Sequence, residues 1–228
     1  MRVSTVKIDQ VCNLSRIPTS VTKNPVYMTA LQIIDNSDIK FADTELFDHY
    51  KKYNPKTLYD MYGSVDKLKE YSYDQSFLPW IHKSPVVQFP DVAFITREND
   101  FISRQVQKIK DIIHSIQEQG YCPENFPDRK GGHITGYWLS YNDCKKFYVV
   151  SGNHRVSICF AISSSREIPF LFEESHHFKS RDLINRRKNI LDIYDTNDMS
   201  NWPSVTSGFL SENEAIEITK KYFGEKDE

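Results

Sequence analysis

The residues best suited to chemistry lie together in one segment of the sequence, YVVSGNHRVSICFAI. An apolar run ends just before Gly152, and a helical pattern follows at once, with Asn153 as its predicted N-cap. The first N–H groups of a helix lack backbone partners and lie at the positive end of the helix dipole, so this turn would attract an anion. His154 and Arg155 add two donors, and an arginine can hold a phosphate through two parallel hydrogen bonds. The segment therefore predicts a phosphate site; a capped helix start with an exposed cation is the structural alternative.

Length and composition narrow the class of protein. The 228 residues are enough to bury a substantial core. The formal net charge of -2 argues against binding to nucleic acid through bulk charge, although it leaves a local basic groove open. The apolar runs are too short and too often interrupted to span a membrane, and no secretory signal opens the sequence. The four cysteines show no C-x-x-C spacing, so we expect no metal or disulfide framework and a cytoplasmic location.

A long helix and two strands are predicted to position the turn. Apolar residues at spacings of four and three indicate an amphipathic helix that Asn99 or Asp100 caps and Gly120 ends. The segments HITGYWLS and KKFYVV predict two strands joined by a turn at YNDC, and residues 168–172 predict a last strand. The order helix, strand, strand, helix, strand indicates an α/β unit whose ligand turn lies at the end of a strand.

The rest of the chain predicts shorter elements. Strands are predicted at residues 3–11, 30–34 and 85–89, and helices at residues 42–50, 54–62 and 180–194. The segment SFLPWIHKSPVVQFP, rich in aromatics and proline, predicts an irregular connection that Trp80 anchors. A capping box from Ser211 to Glu214 predicts the start of the last helix.

The G-N-H-R turn in this order of elements resembles the ParB/sulfiredoxin superfamily, and the resemblance covers residues 92–173. Members of that superfamily carry G-x-R-R, G-C-H-R or D-G-H-H-R at this turn and bind the phosphates of a nucleotide there. The resemblance implies that the residues from Ser151 to Arg155 bind phosphate. The segments FLPWIH and WPSVTSGFLSENEAIEITKKYF also resemble ParB-like proteins of bacterial surface-polysaccharide gene clusters, which implies a role in polysaccharide biosynthesis.

The sequence departs from each branch of that superfamily. Ser151 stands where the free-serine kinase branch has an acidic residue for metal and catalysis, while His154 is kept. Glu98 best matches the catalytic glutamate of the same branch. Asn153 occupies the position of the cysteine that sulfiredoxins need, so sulfinic acid reductase activity is not expected. The helical patterns after residue 173 are too few for the DNA-binding region of the chromosome-partitioning ParB proteins.

A phosphotransferase at this turn would need cations, a metal ion and a base. Arg155 and the helix N-terminus would neutralise the phosphates of ATP or CTP. Magnesium would take oxygen ligands from Glu98, Asn153 or Ser151, and the base would be Glu98 or His154. For Glu98, the structural alternative is a first-turn carboxylate that complements the helix dipole.

The polar loop that contains Arg129 and Lys130 is a second candidate for phosphate binding. Its glycines permit a close approach of backbone to ligand, and its cations match phosphate. An ordinary solvated loop is the alternative interpretation.

We therefore expect an α+β protein in three parts. Residues 1–90 form an N-terminal lobe of unknown role, residues 91–175 the ParB/sulfiredoxin-like nucleotide-binding unit, and residues 176–228 a C-terminal helical extension. The expected function is nucleotide-dependent phosphoryl transfer, with Mg²⁺, to a small hydroxylated molecule or sugar. A nucleotide-binding regulatory protein without turnover is the alternative, because Ser151 replaces the acidic residue. A ParB-like DNA-associated protein is a third, which the balanced charge makes the weakest.

Overall fold

The computed structural model describes residues 2–12, 21–53, 55–72, 77–85, 98–122, 125–126, 134–142, 144–163, 167–172, 193–195 and 199–223. Its helices are α1 (Pro25–Asp35), α2 (Glu45–Lys52), α3 (Leu58–Tyr62), α4 (Asn99–Gln119), α5 (Asn153–Ile162), α6 (Pro203–Thr206) and α7 (Glu212–Phe223). Its strands are β1 (Arg2–Lys7), β2 (Val11–Cys12), β3 (Thr135–Tyr141), β4 (Cys144–Ser151), β5 (Glu167–Phe172) and β6 (Ile193–Asp195). These elements confirm the general α+β class. Within the ranges given, no helix combines the length and apolarity needed to cross a membrane.

The central sheet has the strand order β2-β4-β3-β6. β3 and β4 form the predicted antiparallel hairpin, while β2 runs parallel to β4 and β6 parallel to β3. Asn142, in the hairpin turn, has a φ of 45°, a conformation that asparagine tolerates better than most residues. The predicted last strand forms as β5, but it pairs with β1 in a separate two-stranded sheet. The hairpin therefore carries the G-N-H-R turn at the end of β4.

Side chains of β4 alternate between two hydrophobic cores, because successive residues of a strand point to opposite faces. Phe147 and Val149 lie in a core built mostly of isoleucine and valine, which we call the aliphatic core; α1, α4 and α5 cover it. Tyr148 lies in the other, which we call the aromatic core. The aromatic core is defined by Tyr62, Phe77, Trp80, Tyr137, Tyr148, Trp202 and Tyr222. The central sheet is thus covered on both faces.

The long helix α4 follows from its apolar stripe. Its buried residues are Ile102, Val106, Ile109, Ile112, Ile113 and Ile116. Gly120 follows the last helical residue with a φ of 72° and ends the helix, as predicted. The predicted caps were wrong by one or two positions: Asn99 and Asp100 lie inside the first turn, and Glu98 is the N-cap, without a side-chain hydrogen bond.

The strand predicted at residues 30–34 was wrong, because these residues belong to α1. Asn24 caps that helix by accepting a hydrogen bond from the Val26 N–H at 2.9 Å, and Pro25 takes the first helical position, where its missing N–H costs nothing. Val26, Ala30 and Ile33 are buried at helical spacing. The apolar run is therefore one face of an amphipathic helix.

Other short elements agree more closely with the sequence. Thr44 caps α2, close to the predicted helix at residues 42–50. Gly63 ends α3 with a φ of 73°, as predicted, but Thr57 caps that helix, and Asn54 lies outside the described residues. In the predicted capping box, the Ser211 N–H donates to Glu214 at 2.8 Å and the Glu214 N–H donates to Ser211 Oγ at 3.3 Å.

Both cores cross the predicted boundary at residue 90, and the aromatic core also crosses the boundary at residue 175. β1 pairs with β5, and β2 pairs with β4, so residues near the start of the chain extend sheets formed by later segments. Trp80 is 1% exposed and packs against residues from all three predicted parts. The division into three parts stays a prediction, and its parts share their cores. The predicted strand at residues 85–89 and helix at residues 180–194 lie mostly outside the described residues, and Tyr194 belongs to β6.

Candidate anion-binding site

The turn between β4 and α5 has the geometry that the G-N-H-R segment predicts, with one correction. Gly152, with a φ of 90°, is the N-cap, so Asn153 is the first helical residue. A Cβ at Gly152 would lie 2.9 Å from Ile134 Cγ1 and 3.3 Å from Arg155 Nη2, which leaves room only for glycine. The N-cap supplies no side-chain hydrogen bond to the helix. The start of α5 is therefore without the side-chain oxygen that caps many helices.

A cavity of about 630 Å³ opens at this turn. One wall consists of the five turn residues that the sequence singles out, Ser151, Gly152, Asn153, His154 and Arg155. The facing wall belongs to α4 and the chain after it, with Lys108, Asp111, Ile112, Ser115, Asn125 and Phe126. The structure thus brings the five predicted residues of the turn to one cavity. Their ligand stays a prediction.

Two cations give the cavity a positive end. Arg155 is only 6% exposed, and its Cζ lies 5.9 Å from the ring centroid of Phe126. The flat face of an aromatic ring attracts a guanidinium and fixes its position. Lys108 is exposed on the facing wall. Arg155 and Lys108 approach from different elements, so an anion between them would meet positive charge on two sides.

His154 lies at the same end of the cavity and is partly buried. Burial lowers the pKa of His154 from 6.5 to about 4, and the nearby charges of Lys108 and Arg155 act in the same direction. At neutral pH the imidazole is therefore uncharged and keeps one nitrogen lone pair. His154 can accept a proton, but it does not act as a third cation.

Asn153 adds an oxygen whose bonding is incomplete. Its Oδ1 is buried and has no hydrogen-bond partner in the described part of the chain. Ser157, one turn further along α5, has a buried Oγ in the same condition. Most buried polar atoms in proteins have a partner, so an unpaired oxygen beside a cavity indicates a position where a ligand, an ion or water binds.

Glu98, the remaining predicted residue that the structure describes, does not line the cavity. Glu98 is exposed at the N-cap of α4, about 20 Å along the helix axis from Asp111 at a rise of about 1.5 Å per residue. Its position suits the structural alternative, a carboxylate near the positive end of the helix dipole. Arg129 and Lys130 lie outside the described residues.

Three polar residues of α4 were not found from the sequence. Lys108, Asp111 and Ser115 recur at spacings of three and four, so they share one face of the helix. That polar stripe looks like the solvent-exposed side of any amphipathic helix. Only the packing of α4 against α5 shows that the helix from Lys108 to Ser115, and not its first turns, lies beside the turn.

No protein-family model, curated protein or solved structure matches this chain. The resemblance to the ParB/sulfiredoxin superfamily therefore stays a prediction, and the arguments about function depend on the geometry of the cavity.

Proposed function

We propose that this protein binds the phosphate groups of a nucleotide at the start of α5 and transfers the terminal phosphoryl group to a hydroxyl group. One observation carries the proposal: buried Arg155, Lys108 from a second helix and the start of α5 converge on one cavity. Gly152 supports it, because without a Cβ the turn can pack against Ile134 while the Arg155 guanidinium lies beside the backbone of the turn. The volume of about 630 Å³ suits a nucleotide-sized ligand, since small-molecule sites measure roughly 300 to 1,000 Å³.

In the proposed reaction, the oxygen of the acceptor hydroxyl attacks the γ-phosphorus and forms a new P–O bond. The bond between the γ-phosphorus and the bridging oxygen breaks, and the nucleoside diphosphate leaves with the electron pair. The proton of the hydroxyl passes to the uncharged imidazole of His154. Bound phosphate raises the pKa of His154, because a nearby negative charge favours the imidazolium form. Glu98 lies too far along α4 to serve as this base.

The oxygens at the cavity fit a magnesium ion that arrives with the nucleotide. Magnesium takes few protein ligands and completes its shell with water and phosphate oxygens. The unpaired Asn153 Oδ1 and the neighbouring Ser151 would hold it, whereas Glu98 would not. When bound, the ion would neutralise charge on the phosphates. The described residues contain no group of three His, Cys, Asp or Glu side chains that could hold a metal by themselves.

Binding without turnover is the second candidate. It is favoured by Ser151, which brings no carboxylate to the end of β4. Under this proposal the same cavity binds the nucleotide, and the protein acts as a regulatory or binding protein. A setting in surface-polysaccharide biosynthesis, inferred from the resemblance, is compatible with either candidate.

Nucleotide binding is tested by thermal shift with ATP, CTP, GTP or UTP, each with Mg²⁺. A ligand that binds only the folded state raises the melting temperature in proportion to ln(1 + [L]/Kd). We expect a shift for ATP or CTP and a roughly tenfold weaker Kd in Lys108→Gln, since a charge-assisted hydrogen bond is lost. Arg104→Gln is the matched control, because Arg104 is exposed on α4 but does not line the cavity. No shift with any nucleotide, or equal losses in both variants, would contradict the site.

Turnover is tested by measuring release of the diphosphate with and without a panel of polyols and sugars. We expect His154→Gln to lower the rate at least tenfold while nucleotide binding persists. Glu98→Gln should leave the rate unchanged. Binding without any release of diphosphate would favour the regulatory alternative.

A further inference from the structure

The wall that α4 contributes to the cavity carries both signs of charge, with Lys108 followed one turn later by Asp111. Asp111 and Ser115 both line it, and they lie on one face of the helix at a spacing of four. Asp111 is the one carboxylate among the cavity residues in the described part of the chain. A carboxylate repels phosphate, so the part of the ligand beside Asp111 is chemically different from the part at the start of α5.

The carboxylate of Asp111 is held in place from its own helix. Gln107 Nε2 donates a hydrogen bond of 2.8 Å to Asp111 Oδ1, from one turn earlier. A carboxylate has two oxygens and about four acceptor positions, so further hydrogen bonds from a ligand can be accepted. Ser115 adds a hydroxyl that can donate or accept.

We propose that Asp111 and Ser115 form a subsite for the hydroxyl groups of a sugar or polyol, beside the phosphate held at the start of α5. This inference rests on the proposed phosphate site and names the class of compound that completes it. Neutral hydroxyls donate to a carboxylate without bringing charge into the cavity. An amine would also bind Asp111, but it would meet Lys108 one turn away and Arg155 across the cavity, so the surroundings disfavour a cation.

The subsite explains why one cavity carries both two cations and a carboxylate. The end with Arg155 and Lys108 takes acceptor-rich groups, and the part of the α4 wall with Asp111 and Ser115 takes donors. A ligand with both phosphate and hydroxyl groups, such as a sugar phosphate or a sugar bound next to a nucleotide, makes hydrogen bonds to both parts of the cavity. Inorganic phosphate makes them only to the cations.

The test compares two probes of equal length and charge, glycerol 3-phosphate and n-propyl phosphate, which differ by two hydroxyl groups. Their Kd values are measured by calorimetry on the full chain, with EDTA and separately with Mg²⁺. We expect glycerol 3-phosphate to bind about tenfold more tightly, because hydrogen bonds to a charged group are among the stronger ones. Asp111→Ala should abolish that preference, and Ser115→Ala should reduce it about threefold.

Glu118→Ala is the matched control, since Glu118 is an exposed carboxylate of the same helix that does not line the cavity. Equal binding of the two probes to the native protein would overturn the subsite and leave the phosphate site intact. A preference that survives in Asp111→Ala, or that appears only with Mg²⁺, would also overturn it, because a cation would then occupy the carboxylate. Absence of binding by both probes would overturn the phosphate site and the subsite together.

Discussion

The two cores on either face of the central sheet differ in where their polar atoms find partners. In the aromatic core the polar atoms bond to one another: Trp80 Nε1 donates to Tyr137 Oη at 2.8 Å, and the Tyr62 and Tyr222 hydroxyls lie 2.9 Å apart. On the aliphatic side, α5 carries buried oxygens on Asn153 and Ser157 without a partner among the described residues. The rings of the aromatic core thus form a hydrogen-bonded network. On that side Ser204 Oγ, in α6, is also buried without a partner among the described residues, but Ser204 does not line the cavity, whereas Asn153 does.

This difference separates stability from ligand binding. The network of the aromatic core adds hydrogen bonds to the burial of large rings, and none of its residues lines the cavity. The unpaired Asn153 Oδ1 at the cavity costs stability, and the proposed ligand would recover that cost. We therefore expect substitutions in the aromatic core to lower stability without changing ligand affinity, and substitutions at the turn to change both.

The largest effect is expected for Trp80→Ala. Trp80 packs edge to face against Tyr148, Trp202 and Tyr222, with ring centroids 5.4 to 5.9 Å apart. Removing it should lower the free energy of unfolding by about 4 kcal/mol, from a large cavity and the lost hydrogen bond to Tyr137. Denaturant unfolding measures the change, and Kd for nucleotide should stay the same in the folded fraction.

Trp138→Ala is the matched control for the opposite face. Trp138 is only partly buried against the aliphatic core, with its ring 5.4 Å from that of Phe147. Trp138→Ala should lower the free energy of unfolding by about half as much as Trp80→Ala, since less apolar area returns to water. A larger cost for Trp138 than for Trp80 would contradict the ranking of the two cores.

Gly152→Ala should have the next largest effect on stability. Alanine at a φ of 90° is strained, and its Cβ would lie 2.9 Å from Ile134 Cγ1, so we expect a loss of about 3 kcal/mol. The same Cβ presses on the Arg155 guanidinium, so phosphate binding should weaken as well. Gly208→Ala is the control, because Gly208 has a φ of 73° but no atom within 4 Å of the position that a Cβ would take. Gly208→Ala should lower the free energy of unfolding by about 1 kcal/mol from backbone strain alone and leave phosphate binding unchanged. An equal loss of stability in Gly152→Ala and Gly208→Ala would contradict the steric contact at Gly152.

His154 should make the free energy of unfolding depend on pH between about 4 and 6.5. Its pKa is about 4 in the folded protein and 6.5 in the unfolded chain, so between these values the unfolded chain binds a proton that the folded protein does not. Stability contributed by neutral His154 is therefore complete above pH 6.5 and is lost as the pH falls toward 4. Between pH 7 and pH 5 the loss should be about 2 kcal/mol.

Burial also lowers the pKa of His49 and His82, so the native protein alone does not isolate His154. The measured quantity is the difference in unfolding free energy between the native protein and His154→Gln at each pH. That difference should become smaller from pH 7 to pH 5. Saturating phosphate should make this change with pH smaller, because the bound anion raises the pKa of His154. A difference that grows as the pH falls would contradict a depressed pKa.

Sequence reasoning succeeded where local chemistry decides the structure. The isoleucine stripe of α4, the hairpin and the glycine turn at Gly152 each follow from residue type and spacing. It failed at residues 30–34, because an apolar run of that length has no period that separates strand from helix. The signal that decided the case was the pair Asn24-Pro25 just before the run.

The candidate site was predictable on one side only. The turn from Ser151 to Arg155 is contiguous, so its chemistry can be read from the sequence. The α4 wall depends on which part of a long helix packs beside that turn, and the sequence pattern is uniform along α4. The resemblance points to Glu98 at the start of the helix, whereas Asp111 reaches the cavity from its second half.

The smallest expected effect lies inside the aromatic hydrogen-bond network. The Tyr62 hydroxyl donates to the Phe77 carbonyl at 2.8 Å, so the Tyr222 hydroxyl is the donor to Tyr62. Tyr222→Phe removes one donor and leaves the bond from Tyr62 to Phe77 in place, so it should cost about 1 kcal/mol. Tyr62→Phe leaves both the Phe77 carbonyl and the Tyr222 hydroxyl without that partner and should cost about twice as much. Denaturant unfolding of both variants measures which substitution costs more stability. A larger cost for Tyr222→Phe would contradict the assigned direction of the hydrogen bond. Neither variant should change the affinity for phosphate, because the network lies on the face of the sheet away from Arg155.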